Sequence, residues 1–108
     1  MNFEHQQLAG GSWQKLSLVE QMANIGSEVE RAIKWKDKAN HDYAEKAFFR
    51  ALELIDLTVD DKKNITRLKE ILRTREIFSD FFAGSNVYGS TAAGWQKYFY
   101  SFNFAARF

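Results

Sequence analysis

The sequence predicts an all-α fold, most simply an antiparallel four-helix bundle. Apolar residues recur at helical spacing in four segments, proline is absent, and short runs rich in glycine, asparagine and aspartate separate the segments. The chain has 108 residues, of which 45% are hydrophobic, which is enough for one domain with one core. We therefore expect a flexible leader over residues 1–12 and a single helical bundle domain over residues 13–108. A three-helix core with a packed aromatic C-terminal helix is the alternative.

The first predicted helix begins after Ser17, a residue type that favours the N-cap position. Glu20 stands three residues later, where a capping box needs it. The apolar residues of this helix share one face: Leu18, Met22, Ile25, Val29, Ala32 and Ile33. Gly26 weakens the middle of the helix unless another helix approaches closely there. We expect the helix to end within residues 36–40.

The second predicted helix runs from about Asp42 to Leu57, and the third from about Asp61 to Phe82. Three alanines in the inner stripe of the second helix favour a close approach to another helix. That stripe consists of Ala44, Ala47, Phe48, Ala51 and Ile55. The third helix has an apolar face made of Ile65, Leu68, Ile71, Leu72, Phe78 and Phe82.

The fourth predicted helix follows a turn-rich loop over residues 84–91, with Ser90 or Thr91 as its N-cap. It carries the segment "WQKYFYSFNFAARF", residues 95–108, in which seven of the fourteen residues are aromatic. On a helical wheel the rings divide between two faces. One face suits the core: Trp95, Phe99 and Phe102. The opposite face holds a second row: Tyr100, Phe104 and Phe108. A monomeric bundle can bury only one of the two faces.

The second row of rings predicts a contact surface for another chain. Apolar residues also lie off the predicted inner faces of the second and third helices. Joined to the second row, they would form a larger exposed apolar patch than a soluble monomer usually carries. The predicted partner interface consists of Tyr100, Phe104, Phe108, Ile77, Phe81 and Phe49. Its partner would be a second copy of the chain or another helical protein. The alternative is that the leader or the loop covers the patch.

Arg75 falls near the middle of the predicted apolar face of the third helix. A buried arginine needs a partner that is both charged and hydrogen-bonded to it. Glu28, at the edge of the inner face of the first helix, is the best candidate, whereas Glu53 and Asp56 are less well placed. The sequence therefore predicts a buried ion pair between Arg75 and Glu28, with an anion site inside the bundle as the alternative.

The segment "KKNITRLKEILRTR" holds six basic residues against one acid. On the wheel they form lines that could contact phosphates: Lys62, Lys69 and Arg73 on one side, Lys63 and Arg67 on another. Acidic residues at helical spacing balance the run, and the formal net charge of the chain is only +1. A nucleic-acid-binding accessory subunit is therefore an alternative that is less favoured than protein interaction.

Metal and cofactor chemistry has little basis in the sequence. The absence of cysteine excludes disulfides, thiolate metal sites and cysteine nucleophiles. His5 and His41 are the only histidines, and the two Glu-x-x-His pairs of a di-iron bundle are absent. We expect no metal site and no cofactor.

The tetrapeptide "ELID" resembles the Glu-x-x-Asp spacing of MazG-like nucleotide pyrophosphohydrolases, which are helical and use magnesium. The resemblance covers Glu53 and Asp56 only, since the upstream Glu-Glu-x-x-Glu of that family is missing. HEPN-type ribonucleases carry an arginine a few residues before a histidine, whereas nine residues separate Arg31 from His41. A magnesium-dependent nucleotide hydrolase using Glu28, Glu53 and Asp56 is therefore the most remote alternative, and a non-enzymatic role is favoured.

Three segments, "WQKLSLVEQMANIGSEVERAI", "RALELIDLT" and "RLKEILRTREIFSDFF", resemble a group of small prokaryotic all-helical proteins with no assigned activity. The resemblance implies a stand-alone domain and supplies no functional residues. No secretory signal and no apolar run of membrane-spanning length occurs in the sequence, so a cytoplasmic location is expected. The predicted function is that of a non-enzymatic interaction or accessory protein.

Overall fold

The computed structural model describes residues 11–107. Its elements are α1 (Leu18–Asp37), α2 (His41–Asp60), α3 (Leu68–Ala83) and α4 (Ala92–Arg107), with short 3-10 helices at Trp13–Lys15 and Lys62–Arg67. The predicted all-α four-helix bundle is confirmed. The predicted leader falls almost entirely outside the described residues.

The four helices run alternately up and down. At one end of the α1–α2 pair the rings of Trp35 and Tyr43 lie 5.0 Å apart. At the other end the Gln21 amide of α1 donates to the carboxylate of Asp61, just beyond α2, at 2.8 Å. The last helix returns to the first, since the Gln96 amide of α4 reaches the Glu30 carboxylate of α1 at 3.4 Å. Further along the same seam Gly26 of α1 faces Phe99 of α4, so these two helices are antiparallel. The contacts of α3 with α2, at Phe82 and Arg75, and with α4, at Phe81 and Thr74, also run in opposite chain directions, as in an up-down-up-down bundle.

The core lies between the helices and is built from the predicted inner faces of α1, α2 and α4, together with Ile71 and Phe78 of the face predicted for the third helix. Its buried apolar residues include Met22, Ile25, Val29, Ala32, Ile33, Ala47, Phe48, Ala51, Leu54, Ile55, Ile71, Phe78, Trp95 and Phe99. Ring contacts tie α3 to both neighbours: Phe78 lies 5.6 Å from Phe48 and 5.5 Å from Trp95 between centroids. Trp13, in the 3-10 helix before α1, is also buried.

The start of α1 confirms the predicted capping box. The Glu20 N–H donates to Ser17 Oγ at 3.2 Å, and the Ser17 N–H donates to Glu20 Oε1 at 3.0 Å. The hydrogen bonds from Ser17 hold the pKa of the Glu20 carboxyl below its ordinary value. The start of α2 differs from the prediction, because Asn40 is its N-cap and accepts from the Tyr43 N–H at 3.2 Å.

The segment before α3 corrects the prediction of one continuous helix from Asp61. Asp61 caps a 3-10 helix instead, accepting from the Lys63 N–H at 3.2 Å. A 3-10 helix has about three residues per turn, so an α-helical wheel drawn through this segment assigns its residues to the wrong faces. Ile65 and Leu72, predicted to face the core, are 68% and 46% exposed. The buried residues of α3 are Ile71, Thr74 and Phe78.

The predicted loop between α3 and α4 is confirmed and is held by its own side chains. Asn86 adopts a left-handed conformation, with φ 57°. Its amide donates to Ser90 O and its side-chain oxygen accepts from the Ser90 N–H, both at 2.9 Å. Thr91, one of the two predicted caps, accepts from the Gly94 N–H at 3.0 Å. These bonds fix where α4 begins.

Candidate functional site

The inner face of α4 is occupied by the core, as predicted. Trp95 and Phe99 are buried, and their rings stack with centroids 6.0 Å apart at 24°. Phe102 is partly buried against the same cluster. Most of this face is therefore already used by the core.

The outer face of α4 exposes the other rings. Tyr100 is 65% exposed and Phe104 is 53% exposed, with ring centroids 6.3 Å apart. We call this pair the α4 ridge. Phe108, the third residue of the predicted row, lies outside the described residues.

A shallow groove of about 440 Å³ runs beside the α4 ridge, between α1 and α4. Small residues of α1 form one wall: Ala23, Gly26 and Ser27. Tyr100 and Asn103 form the opposite wall. We call this the α1–α4 groove.

Gly26 explains why the two helices approach closely enough to form this seam. A β-carbon at position 26 would lie only 2.8 Å from Phe99 Cβ. The predicted reason for a glycine inside α1, a closely approaching helix, is therefore confirmed. Any larger residue would push α4 away from α1.

The other three predicted interface residues, on α2 and α3, differ in their exposure. Phe49 on α2 is 50% exposed. Ile77 and Phe81, predicted to face away from the core, are partly buried against it. The ring of Phe81 lies 6.5 Å from that of Trp95. The expectation for Ile77 and Phe81 was wrong because the buried face of α3 is centred on Ile71, Thr74 and Phe78, on the side toward Ile77 and Phe81 rather than toward Leu72.

The predicted buried ion pair between Arg75 and Glu28 is also wrong. Arg75 lies at the surface and donates from Nε to Asp56 Oδ1 on α2 at 2.8 Å. Glu28 is buried and accepts from Arg31 on its own helix at 3.0 Å. Arg75 lies on the Leu72 side of the buried face of α3, where it reaches α2 instead of the core. Its pairing with Asp56 is therefore a surface contact between α2 and α3.

The five basic residues proposed for nucleic-acid contact occupy two different elements. Lys63 donates to Gln14 O at 3.0 Å and contacts the Asp61 carboxylate, while Arg67 pairs with Glu70 at 2.6 Å. Lys62 lies with them in the 3-10 helix, whereas Lys69 and Arg73 lie exposed on α3. The predicted lines assumed a single α-helix, so nucleic-acid binding stays a prediction with a weaker geometric basis.

One end of the bundle holds a buried polar cluster that the sequence did not predict. Gln21 donates to Trp13 O at 3.0 Å and to Asp61 at 2.8 Å. Asn64 donates to Gln21 Oε1 at 2.8 Å and to Thr58 O at 3.0 Å. The Trp13 indole donates to Thr58 Oγ1 at 2.9 Å. These bonds join the start of the domain to the segment between α2 and α3.

The Asp61 carboxyl is ionised within this cluster. Its burial opposes ionisation, but hydrogen bonds from Lys63 and Gln21 together outweigh burial and hold its pKa below the ordinary value. The buried polar cluster therefore serves the fold, because its polar side chains satisfy one another and present none to a ligand. A glutamine on the inner side of α1 is the one sequence signal that could have indicated it.

The carboxylates of the remote hydrolase alternative have other neighbours. Glu28 pairs with Arg31 and Asp56 pairs with Arg75. Within residues 11–107, no group of three His, Asp or Glu side chains is placed to hold a metal ion. None of the helices in the same range is both long enough and apolar enough to cross a membrane.

Comparison with protein-family models, with curated proteins and with solved structures finds no match.

Proposed function

We propose that this protein is a non-enzymatic helical interaction module that forms a homodimer through its α1–α4 face, in the cytoplasm. The observation that carries the proposal is the α4 ridge, in which Tyr100 and Phe104 are 65% and 53% exposed beside the α1–α4 groove. Aromatic side chains are enriched at protein interfaces. A row of them exposed beside a groove supports a contact surface.

A second copy is the partner that suits this surface. A twofold interface uses the same patch on both subunits, so a projection and a recess must lie side by side on one face. The α4 ridge is the projection, and the α1–α4 groove with its small residues is the recess. The rings of each copy would enter the groove of the other.

Charge favours the same arrangement. Within Ala92–Arg107, α4 carries Lys97 and Arg107 but no acidic residue. Glu30 of α1 is exposed and borders the groove. Placing α4 of one copy against α1 of the other brings opposite charges together, whereas α4 against α4 would oppose cations.

The size of the α4 ridge sets how much of the face must take part. A fully buried aromatic side chain contributes about 150–250 Å², so the exposed parts of Tyr100 and Phe104 amount to roughly 250 Å². A standard interface buries about 800 Å² on each partner. The two rings therefore act as anchors, and the groove walls and polar rim supply most of the remaining area.

Multi-angle light scattering on two aspartate variants tests the proposal. Phe104→Asp places a charge in the anchor row and should give a monomer at concentrations where the wild type is dimeric. Phe49→Asp is the matched control, because Phe49 is 50% exposed on α2, away from the groove, and it should leave the dimer intact. Circular dichroism confirms that both variants remain helical.

A third variant tests the α1–α4 groove rather than the α4 ridge. Ser27→Trp fills the α1–α4 groove from an exposed position and should also give a monomer. Equal molar masses for the wild type, Phe104→Asp and Ser27→Trp would contradict the proposed dimer. Dissociation by Phe49→Asp alone would move the interface to α2.

A further inference from the structure

A second groove, of about 360 Å³, opens between α3 and α4. Its walls are mainly apolar and come from Ile77 of α3 and from Trp95 and Tyr98 of α4. The groove exists because the backbones of α3 and α4 lie farther apart than those of α1 and α4. Gly94 adds no side chain to fill the space. We call this the α3–α4 groove, and its volume lies within the range of small-molecule sites.

The acidic group of the α3–α4 groove is already satisfied. Glu70 accepts from the Tyr98 hydroxyl at 3.0 Å, and Arg67 neutralises it at 2.6 Å. The Tyr98 hydroxyl also lies 3.3 Å from Thr74 Oγ1. Burial, together with the Glu70 carboxylate, raises the pKa of Tyr98, so its phenol is neutral at physiological pH. A cationic ligand would therefore find no unpaired carboxylate here.

The basic group of the α3–α4 groove has no such partner. Arg73 lines the groove from α3 and forms no ion pair with any residue in the described range. Ser90 and Thr91, directly before the first turn of α4, line the groove with it. The positive end of a helix dipole favours an anion at that position.

Trp95 contributes a buried ring to the wall of the α3–α4 groove. Its side chain is more than nine-tenths buried and lines the α3–α4 groove. The indole Nε1–H is buried and has no hydrogen-bond partner among residues 11–107. Native structures rarely leave such a donor unpaired. The groove thus combines apolar walls with an unpaired cation.

We propose that the α3–α4 groove binds a small amphipathic anion, a flat aromatic carboxylate, with its ring against Trp95 and Ile77 and its carboxylate at Arg73 and the first turn of α4. The guanidinium suits this role because it donates two parallel hydrogen bonds to a carboxylate. The site lies on the side of α4 away from Tyr100, so it is separate from the α4 ridge.

Isothermal titration calorimetry with three matched probes tests the charge preference. The probes are 2-naphthoate, 2-naphthalenemethanol and protonated 2-(aminomethyl)naphthalene, which share one ring system. The wild type should bind naphthoate at least tenfold more tightly than either of the others. No detectable naphthoate binding, or equal binding of the alcohol, would overturn the proposal.

Two variants locate the site. Arg73→Gln should weaken naphthoate binding roughly tenfold or more, the usual worth of a hydrogen bond to a charged group. Lys69→Gln removes the same charge from an exposed position on the same helix that does not line the groove, and it should change binding less than twofold. Equal effects of the two variants would show nonspecific charge attraction and overturn the assignment of Arg73.

A blocking variant and an interface variant complete the test. Gly94→Leu fills the groove and should abolish binding of all three probes while circular dichroism shows intact helices. Phe104→Asp should bind naphthoate like the wild type, whatever its oligomeric state. Failure of the proposed dimer is thus distinguishable from failure of the proposed site. Unchanged naphthoate binding by Gly94→Leu would place the ligand elsewhere and contradict the proposal.

Discussion

The two seams of α4 use aromatic rings in opposite ways. Against α1, Phe99 packs directly on Gly26, and a β-carbon at position 26 would lie 2.8 Å from Phe99 Cβ. Against α3, Trp95 and Tyr98 reach across to Phe78 and Thr74 and keep the backbones apart. A ring facing a glycine closes a seam, whereas a ring facing another large side chain opens a groove. The same helix therefore has a tight side and an open side.

The largest effect is expected from emptying the tight seam. Phe99→Ala removes a buried ring and should lower the free energy of unfolding by about 3–5 kcal/mol. Phe102→Ala, at a partly buried position one turn further along, should cost less than half as much. Urea denaturation measures both. Equal losses would mean that the core does not depend on the α1–α4 seam.

The second largest effect is expected from overfilling the same seam, between α1 and α4. Gly26→Ala should lower the free energy of unfolding by about 1–3 kcal/mol, because overpacking outweighs the better helix propensity of alanine. Ser27→Ala gains the same kind of propensity at an exposed neighbouring position and should be neutral or slightly stabilising. A stabilising effect of Gly26→Ala would show that α4 moves away from α1 at little cost, and it would contradict a tight seam.

Substitutions in the open seam, between α3 and α4, should lower the free energy of unfolding less. Tyr98→Phe keeps the ring but loses the hydroxyl contacts to Glu70 and Thr74, which should cost about 0.5–1.5 kcal/mol. Tyr100→Phe removes a hydroxyl from the exposed α4 ridge and should stay within about 0.5 kcal/mol of wild type in dilute solution. Matching losses for the two variants would show that the Tyr98 hydroxyl contacts do not stabilise the seam between α3 and α4.

The smallest expected effect is a dependence on alkaline pH to which the seam between α3 and α4 contributes through Tyr98. Burial, with the Glu70 carboxylate, raises the pKa of Tyr98 in the folded protein. Above the ordinary tyrosine pKa of about 10, the unfolded chain releases this proton more readily than the folded one. Stability from Tyr98 is therefore present below that pH and is lost as the pH rises through the raised pKa. Denaturation midpoints between pH 8 and 11 should fall less in Tyr98→Phe than in the wild type, and parallel slopes would contradict this.

Local signals made much of this architecture predictable. The capping box of Ser17 and Glu20 lies within four residues, so the sequence alone places the start of α1. The spacing of Trp95 and Phe99 separates the buried face of α4 from the exposed one. Gly26 in mid-helix indicates the close approach of a second helix.

The phase of α3 could not be predicted from local signals. The 3-10 helix before it holds Asn64, whose amide donates to Gln21, 43 residues earlier in the chain. The buried side of α3 is set by packing against both α2 and α4, where Phe78 contacts Phe48 and Trp95. This packing places Ile77 and Phe81 against the core and Arg75 beside Asp56. The α3–α4 groove depends on the same phase, so no sequence pattern indicated it.

Sedimentation equilibrium of the wild-type chain across a range of concentrations tests the central proposal most directly. If the α4 ridge of one copy occupies the α1–α4 groove of another, the mass should rise from the 12.6 kDa of one chain toward twice that value and then level off. A mass that stays at 12.6 kDa up to high micromolar concentration would contradict the proposed homodimer.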